Sequence, residues 1–99
     1  MACKIEWTGT ALNEYIRTLA YLSSGWGRRS VYSFADKVDR KASSVSFNPG
    51  IGRKSGRDPD VRRFVISRQN LLYYEVKEGT VIILALFDTR QNPSKNRFE

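Results

Sequence analysis

The residues with most to offer chemically are cations. Between Arg53 and Arg68 six basic residues (Arg53, Lys54, Arg57, Arg62, Arg63, Arg68) stand against two acidic ones, Asp58 and Asp60, a density that suits a phosphate backbone or an acidic protein surface. Arg90 follows an apolar run, where an arginine has no core to join. A planar guanidinium donates two parallel hydrogen bonds to phosphate oxygens and keeps its charge at physiological pH. Any one of these residues alone reads as an ordinary solvated cation. There is no histidine, and Cys3 is the single cysteine, so neither an internal disulfide nor the usual zinc or haem ligand sets can be assembled. No metal and no cofactor is expected. Metal-free cleavage of RNA needs an acceptor for the 2′-hydroxyl proton, donors for the five-coordinate phosphate and an acid for the leaving oxygen. Here those tasks would fall to lysine, arginine, tyrosine or a carboxylate. Tyr73 and Tyr74 are adjacent in a strand-like run, so they point to opposite faces. One is expected under the helices and the other on the open face, as packing groups rather than as a catalytic acid.

These residues must be positioned by a small frame. Lys4-Ile5-Glu6-Trp7 alternates polar and apolar and reads as a first strand, with Thr8 a candidate helix cap. Leu12, Tyr15, Ile16, Leu19 and Leu22 fall at helical spacing, with Asn13, Glu14 and Arg17 off the stripe, and the helix is expected to stop near Ser23-Ser24-Gly25. A second stripe, Val31, Phe34, Ala35, Val38, Ala42 and Val45, follows a short Trp26-Gly27 connection, which predicts a helix hairpin. Pro49-Gly50 ends it, and Ser55-Gly56-Arg57-Asp58-Pro59-Asp60 has the residues of an exposed loop. Val61 to Ser67, Leu71 to Lys77 and Val81 to Phe87 are rich in β-branched and aromatic residues with short connectors, predicting an antiparallel meander. The last run is apolar at both parities, so it should be interior and covered on both faces. The polar tail, Gln91 to Glu99, is expected to be loosely held.

The predicted fold class is therefore α+β, in the order β-α-α-β-β-β, as one domain spanning residues 1–99. With 40% hydrophobic and 12% aromatic residues, a net charge of +7 does not prevent a packed core. The N-terminal residues contain no apolar stretch of signal-peptide length, and no run approaches the ~20 residues of a membrane span, so a cytoplasmic location and no membrane partner are expected.

Several motifs in that order resemble a known family. Phe47, Pro49, Gly52 and Arg53 form an apolar-then-Pro-x-x-Gly-Arg pattern after the second helix, Val61-Arg62-Arg63-Phe64-Val65-Ile66 and Leu72-Tyr73-Tyr74-Glu75-Val76 follow, and Ile82 to Phe87 runs into Asp88-Thr89-Arg90-Gln91-Asn92-Pro93. Over nearly the whole chain this resembles the RelE/ParE superfamily of bacterial toxins from type II toxin–antitoxin modules, the plasmid stabilisation protein family. The resemblance implies a growth-arresting toxin neutralised by a cognate acidic antitoxin, acting either as a ribosome-dependent mRNA endoribonuclease or as a DNA gyrase inhibitor. For the endonuclease branch it implies phosphate-polarising roles for Lys54, Arg62 or Arg63, and Arg90, and target binding by Arg53, Lys54, Arg57, Arg90 and Lys95. That branch also carries a tyrosine or histidine near the C-terminus. This tail has neither; Phe98 can stack but cannot transfer a proton. The ParE-like branch needs no acid or base. A third reading, a non-toxic basic nucleic-acid-binding module, is weakened by the lack of aromatics between Arg53 and Arg63; a decayed toxin without activity stays as a further alternative.

Overall fold

A computed structural model describes residues 2–99. The chain runs β1 (Lys4–Trp7), α1 (Gly9–Gly25), α2 (Arg28–Phe47), β2 (Arg53–Lys54), β3 (Arg62–Ser67), β4 (Asn70–Lys77) and β5 (Thr80–Asp88), then a short 3₁₀ turn at Pro93–Lys95. The strands form one sheet in the order β1-β5-β4-β3-β2. β1 pairs with β5 in parallel, and the other neighbours are antiparallel. Parallel strands need a crossover, and the helix hairpin supplies it. The predicted α+β frame is thus observed with one strand more than expected. β2 is two basic residues long and has no apolar alternation to announce it.

Thr8 caps α1 as its sequence position suggests, its hydroxyl oxygen accepting from the Ala11 N–H at 3.1 Å. The face of α1 that meets the sheet is rotated from the predicted stripe. Ala11 is fully buried, and Tyr15, Leu19 and Leu22 pack beside it, while Leu12 and Ile16 face outward. A small residue sits at the closest approach, and the apolar stripe was too wide to say which edge would be covered. α2 buries Phe34, Val38, Ala42 and Val45, all but Val31 and Ala35 of its predicted stripe. Against these residues lie Ile66, Leu72, Tyr74, Val81, Ile83 and Leu86.

The sheet has a second apolar face. Val61, Tyr73 and Ala85 are buried there with Leu71, Leu84, Phe87 and Phe98 packed around them. The register between β4 and β5 shifts between Tyr73 and Tyr74, which pair with Ala85 and Ile83. Leu84 is therefore the extra residue of a bulge, and the parity of β5 reverses there: Val81 and Ile83 face the helices before it, Leu86 after it. A bulge leaves ladder groups unpaired, and α1 satisfies them. The Thr8 hydroxyl donates to the Leu84 carbonyl at 3.3 Å, and Glu14 Oε1 accepts from the Leu86 N–H at 3.1 Å. The β4–β5 connection is a two-residue turn, Glu78-Gly79, with both φ values positive at 50° and 74°, the conformation that favours glycine.

The tail, expected to be loosely held, is placed over the second face. Phe98 stacks on Tyr73 at 4.8 Å between ring centroids, and its carbonyl accepts from the Arg57 N–H at 3.0 Å. Polar composition hid this because the anchoring comes from one aromatic ring and one carboxylate. Among the described residues no helix is long and apolar enough to cross a membrane.

Candidate functional site

The basic loop after α2 is held by two strand residues. The Tyr74 hydroxyl donates to the Pro49 carbonyl at 2.7 Å and accepts from the Gly52 N–H at 3.0 Å. Arg62 Nη1 donates to the Gly52 carbonyl at 2.7 Å and the Gly50 carbonyl at 3.3 Å. Gly52 itself admits no side chain: a Cβ there would lie 2.5 Å from the Tyr74 oxygen and 2.9 Å from the Arg63 carbonyl. This explains the glycine of the Pro-x-x-Gly-Arg pattern as a close approach between loop and sheet.

Immediately after that glycine the loop becomes β2, with Arg53 opposite Arg63 and Lys54 opposite Arg62. Two successive rungs therefore oppose cation to cation, an arrangement that costs stability. The β3 members are compensated, Arg62 by loop carbonyls and Arg63 by an ion pair with the Glu99 carboxylate. The β2 members, Arg53 and Lys54, are exposed and make no ion pair among the described residues. Arg57, in the following loop, and Lys95, in the tail turn, are likewise exposed. Lys54 and Arg62 also line a cleft of about 460 Å³ with Asp60 and Glu75.

Both tyrosines lie where alternation placed them, Tyr74 against the helices and Tyr73 on the other face. Neither is free. The Tyr73 hydroxyl donates to Glu99 Oε2 at 2.9 Å and accepts from Asn96 Nδ2 at 2.9 Å. Burial pushes the phenol pKa of each above its ordinary value. Burial alone would also raise the Glu99 carboxyl, but hydrogen bonds from the Gly56 N–H and Tyr73, with the Arg63 charge, hold it below the usual range.

Arg90, which the resemblance placed with Lys54 and Arg62 or Arg63 in phosphate-polarising roles, does not lie with them. Asp88, two residues before it, pairs with Asn70 at one end of β4, whereas Arg62 pairs with Tyr74 four residues further along that strand. Asp88 and Arg62 are thus roughly 10 Å apart across the sheet and 13 Å along it. Arg90 instead closes on its neighbour: Nε donates to Asp88 Oδ1 at 3.0 Å and Nη2 to Asp88 Oδ2 at 2.7 Å. Those bonds hold the Asp88 carboxyl below its usual range. The guanidinium also sits 5.4 Å from the centre of the Tyr21 ring. Short-range pairing of this kind was readable in Asp88-Thr89-Arg90; the separation from the loop depended on strand order, which the sequence does not print.

Sequence reasoning passed over a second cationic place. At the turn end of the helix hairpin, Tyr21, Trp26, Arg29, Lys37 and Arg90 line a cleft of about 550 Å³. An exposed tryptophan in a tight interhelical turn was the available signal. Among the described residues no cluster of histidine, cysteine, aspartate and glutamate is arranged to hold a metal ion.

A family model described as the ParE toxin of type II toxin–antitoxin systems, parDE, matches residues 5–93. A solved structure from the chromosomal ParDE toxin–antitoxin system of P. aeruginosa is similar over 88% of this chain and 96% of its own, with a TM-score of 0.74 and 19% identity. The YoeB dimer from Staphylococcus aureus aligns over 88% of this chain and 97% of its own at TM-score 0.65 and 17% identity. A YoeB/ParE toxin from Agrobacterium tumefaciens covers 86% of this chain and 96% of its own at TM-score 0.59 and 11% identity. At these identities the structures speak to the fold. No curated protein sequence matches the chain.

Proposed function

The chain belongs to the ParE toxin family of type II toxin–antitoxin systems, and from that premise we propose that it arrests growth by gripping DNA gyrase or its DNA complex rather than by cutting mRNA. The observation that carries this reading is that both strand tyrosine hydroxyls are engaged in hydrogen bonds while Arg53 and Lys54 stand exposed at the sheet edge. A cationic edge without a free phenol suits binding better than proton transfer. Arg53, Lys54 and Arg57 supply the grip, Arg62 and Tyr74 shape the loop that presents it, and Lys95 extends the charge from the tail.

The family implies an antitoxin partner. An acidic segment of that partner would neutralise the β2 edge and block the same grip.

A second reading rests on the Asp60 and Glu75 carboxylates in the Lys54–Arg62 cleft. There a carboxylate would accept the 2′-hydroxyl proton as that oxygen attacks phosphorus, Arg62 would hold the phosphate and Lys54 would protonate the departing 5′-oxygen, leaving a 2′,3′-cyclic phosphate without a metal. The two readings part on mutation. Inducing the toxin alone should arrest growth, and Arg53→Ala with Lys54→Ala should relieve the arrest in soluble, folded protein. Asp60→Asn with Glu75→Gln should leave it intact. Relief by the carboxylate pair would favour cleavage instead.

A further inference from the structure

We propose that the cleft at the turn end of the helix hairpin is a binding site for a short single-stranded nucleic acid, with one base stacked on Trp26 and its phosphates held by Arg29 and Lys37. Recognition of unpaired strands without sequence preference combines cations that track the backbone with aromatic rings that accept bases. The Arg53 to Arg63 segment has the first and contains no aromatic residue. This cleft has both: Trp26 and Tyr21 are 68% and 50% exposed, and Arg29 and Lys37 line the same space.

Trp26 is not a lone exposed ring: Tyr21 is exposed in the same cleft, and apolar surface gathered beside polar groups marks an interaction site. α1 ends at Gly25 and α2 starts at Arg28, so Trp26 sits in the connection itself and is not required by either helix to fill the core. Arg90 fixes the opposite wall, its guanidinium held by Asp88 and placed against Tyr21. With its charge already paired it orients the ring, leaving Arg29 and Lys37 as the cations without an ion pair among the described residues. Ser33 and Gln69 add hydroxyl and amide groups for base edges, and no aspartate or glutamate lines the cleft. Its volume of about 550 Å³ lies within the range of small-ligand sites. An acidic peptide would find the same two cations, but the exposed apolar surface here is aromatic, which favours a flat base over an aliphatic side chain. The inference rests on this cleft alone and is independent of the toxin's target.

The test uses the full chain and hexathymidylate, hexauridylate and hexaglutamate as probes, followed by calorimetric titration for every variant and also by tryptophan fluorescence for the parent. Hexathymidylate or hexauridylate should quench the emission, and the two will show whether DNA or RNA is the better ligand. Trp26→Ala should weaken binding about tenfold, in line with one lost stacking contact, and Trp26→Phe should retain most of it. Arg29→Ala with Lys37→Ala should weaken binding and lower the slope of log affinity against log salt by about 1.4, for two phosphates at ~0.7 each. Lys4→Ala, on the far edge strand, should leave binding unchanged. Binding of hexaglutamate as tight as that of either oligonucleotide, oligonucleotide binding indifferent to Trp26→Ala, or no oligonucleotide binding at all would overturn the proposal.

Discussion

Tyr74 and Gly52 show how one contact can fix the geometry of a surface several residues away. The phenol spans loop and sheet through two hydrogen bonds, the one from the Gly52 N–H buried, so Tyr74→Phe should leave a carbonyl and an N–H without partners. The expected loss is about 1 to 3 kcal/mol, visible as a lower urea midpoint, with weaker growth arrest because the Arg53–Lys54 edge is no longer held. Gly52→Ala should be at least as harmful, since the methyl would press on the phenol and on the Arg63 carbonyl. A Gly52→Ala protein as stable as the parent would show that the loop has slack there. Glu99 makes a pH-dependent contact at the other face. Its folded pKa is lowered, so its contribution is present above the unfolded value of about 4.3 and is lost as pH falls through the lower folded value. Loss of Phe98–Tyr73 stacking in that acid range, followed by near-ultraviolet circular dichroism, is expected; Glu99→Gln should abolish the dependence.

At the level of elements, the sequence disclosed what periodicity can carry. Both helices, the cap at Thr8, the three-stranded meander and the opposite orientation of Tyr73 and Tyr74 could all be read from spacing. β2 could not, because two consecutive cations have no pattern, and neither could the docking of the tail, which depends on Phe98 meeting a ring brought from β4. The rotation of α1 was ambiguous for a related reason: Leu12 and Ile16 are as apolar as the residues that became buried, and only the presence of α2 decides which edge is covered. Glu14 is the instructive case. Off the apolar stripe it looked like a surface residue, yet it satisfies the Leu86 N–H beside the β5 bulge. Glu14→Ala should therefore cost about 1 to 3 kcal/mol, more than the usual ±0.5 kcal/mol of an exposed helix position. Thermal unfolding would check this, and a neutral outcome would mean that water replaces the carboxylate.

Across the whole molecule, charge is distributed to match the proposed division of labour. Within a net charge of +7, exposed cations gather at the β2 edge and in the hairpin cleft. Attraction of an acidic antitoxin to the first should make the complex weaken as salt screens exposed charges. Affinity unchanged between low and high salt would assign the binding to apolar burial instead. The site residues were legible as a set of cations, but their partition was not, because strand order sends Arg90 to the far end of the sheet from Lys54. The most direct test of how the toxin acts is to add purified protein to DNA gyrase and score supercoiling and cleavage complexes, while mapping mRNA ends after induction in cells. Inhibited supercoiling with accumulated cleavage complexes and intact mRNA is the expected result; codon-linked mRNA cuts with gyrase unaffected would contradict it.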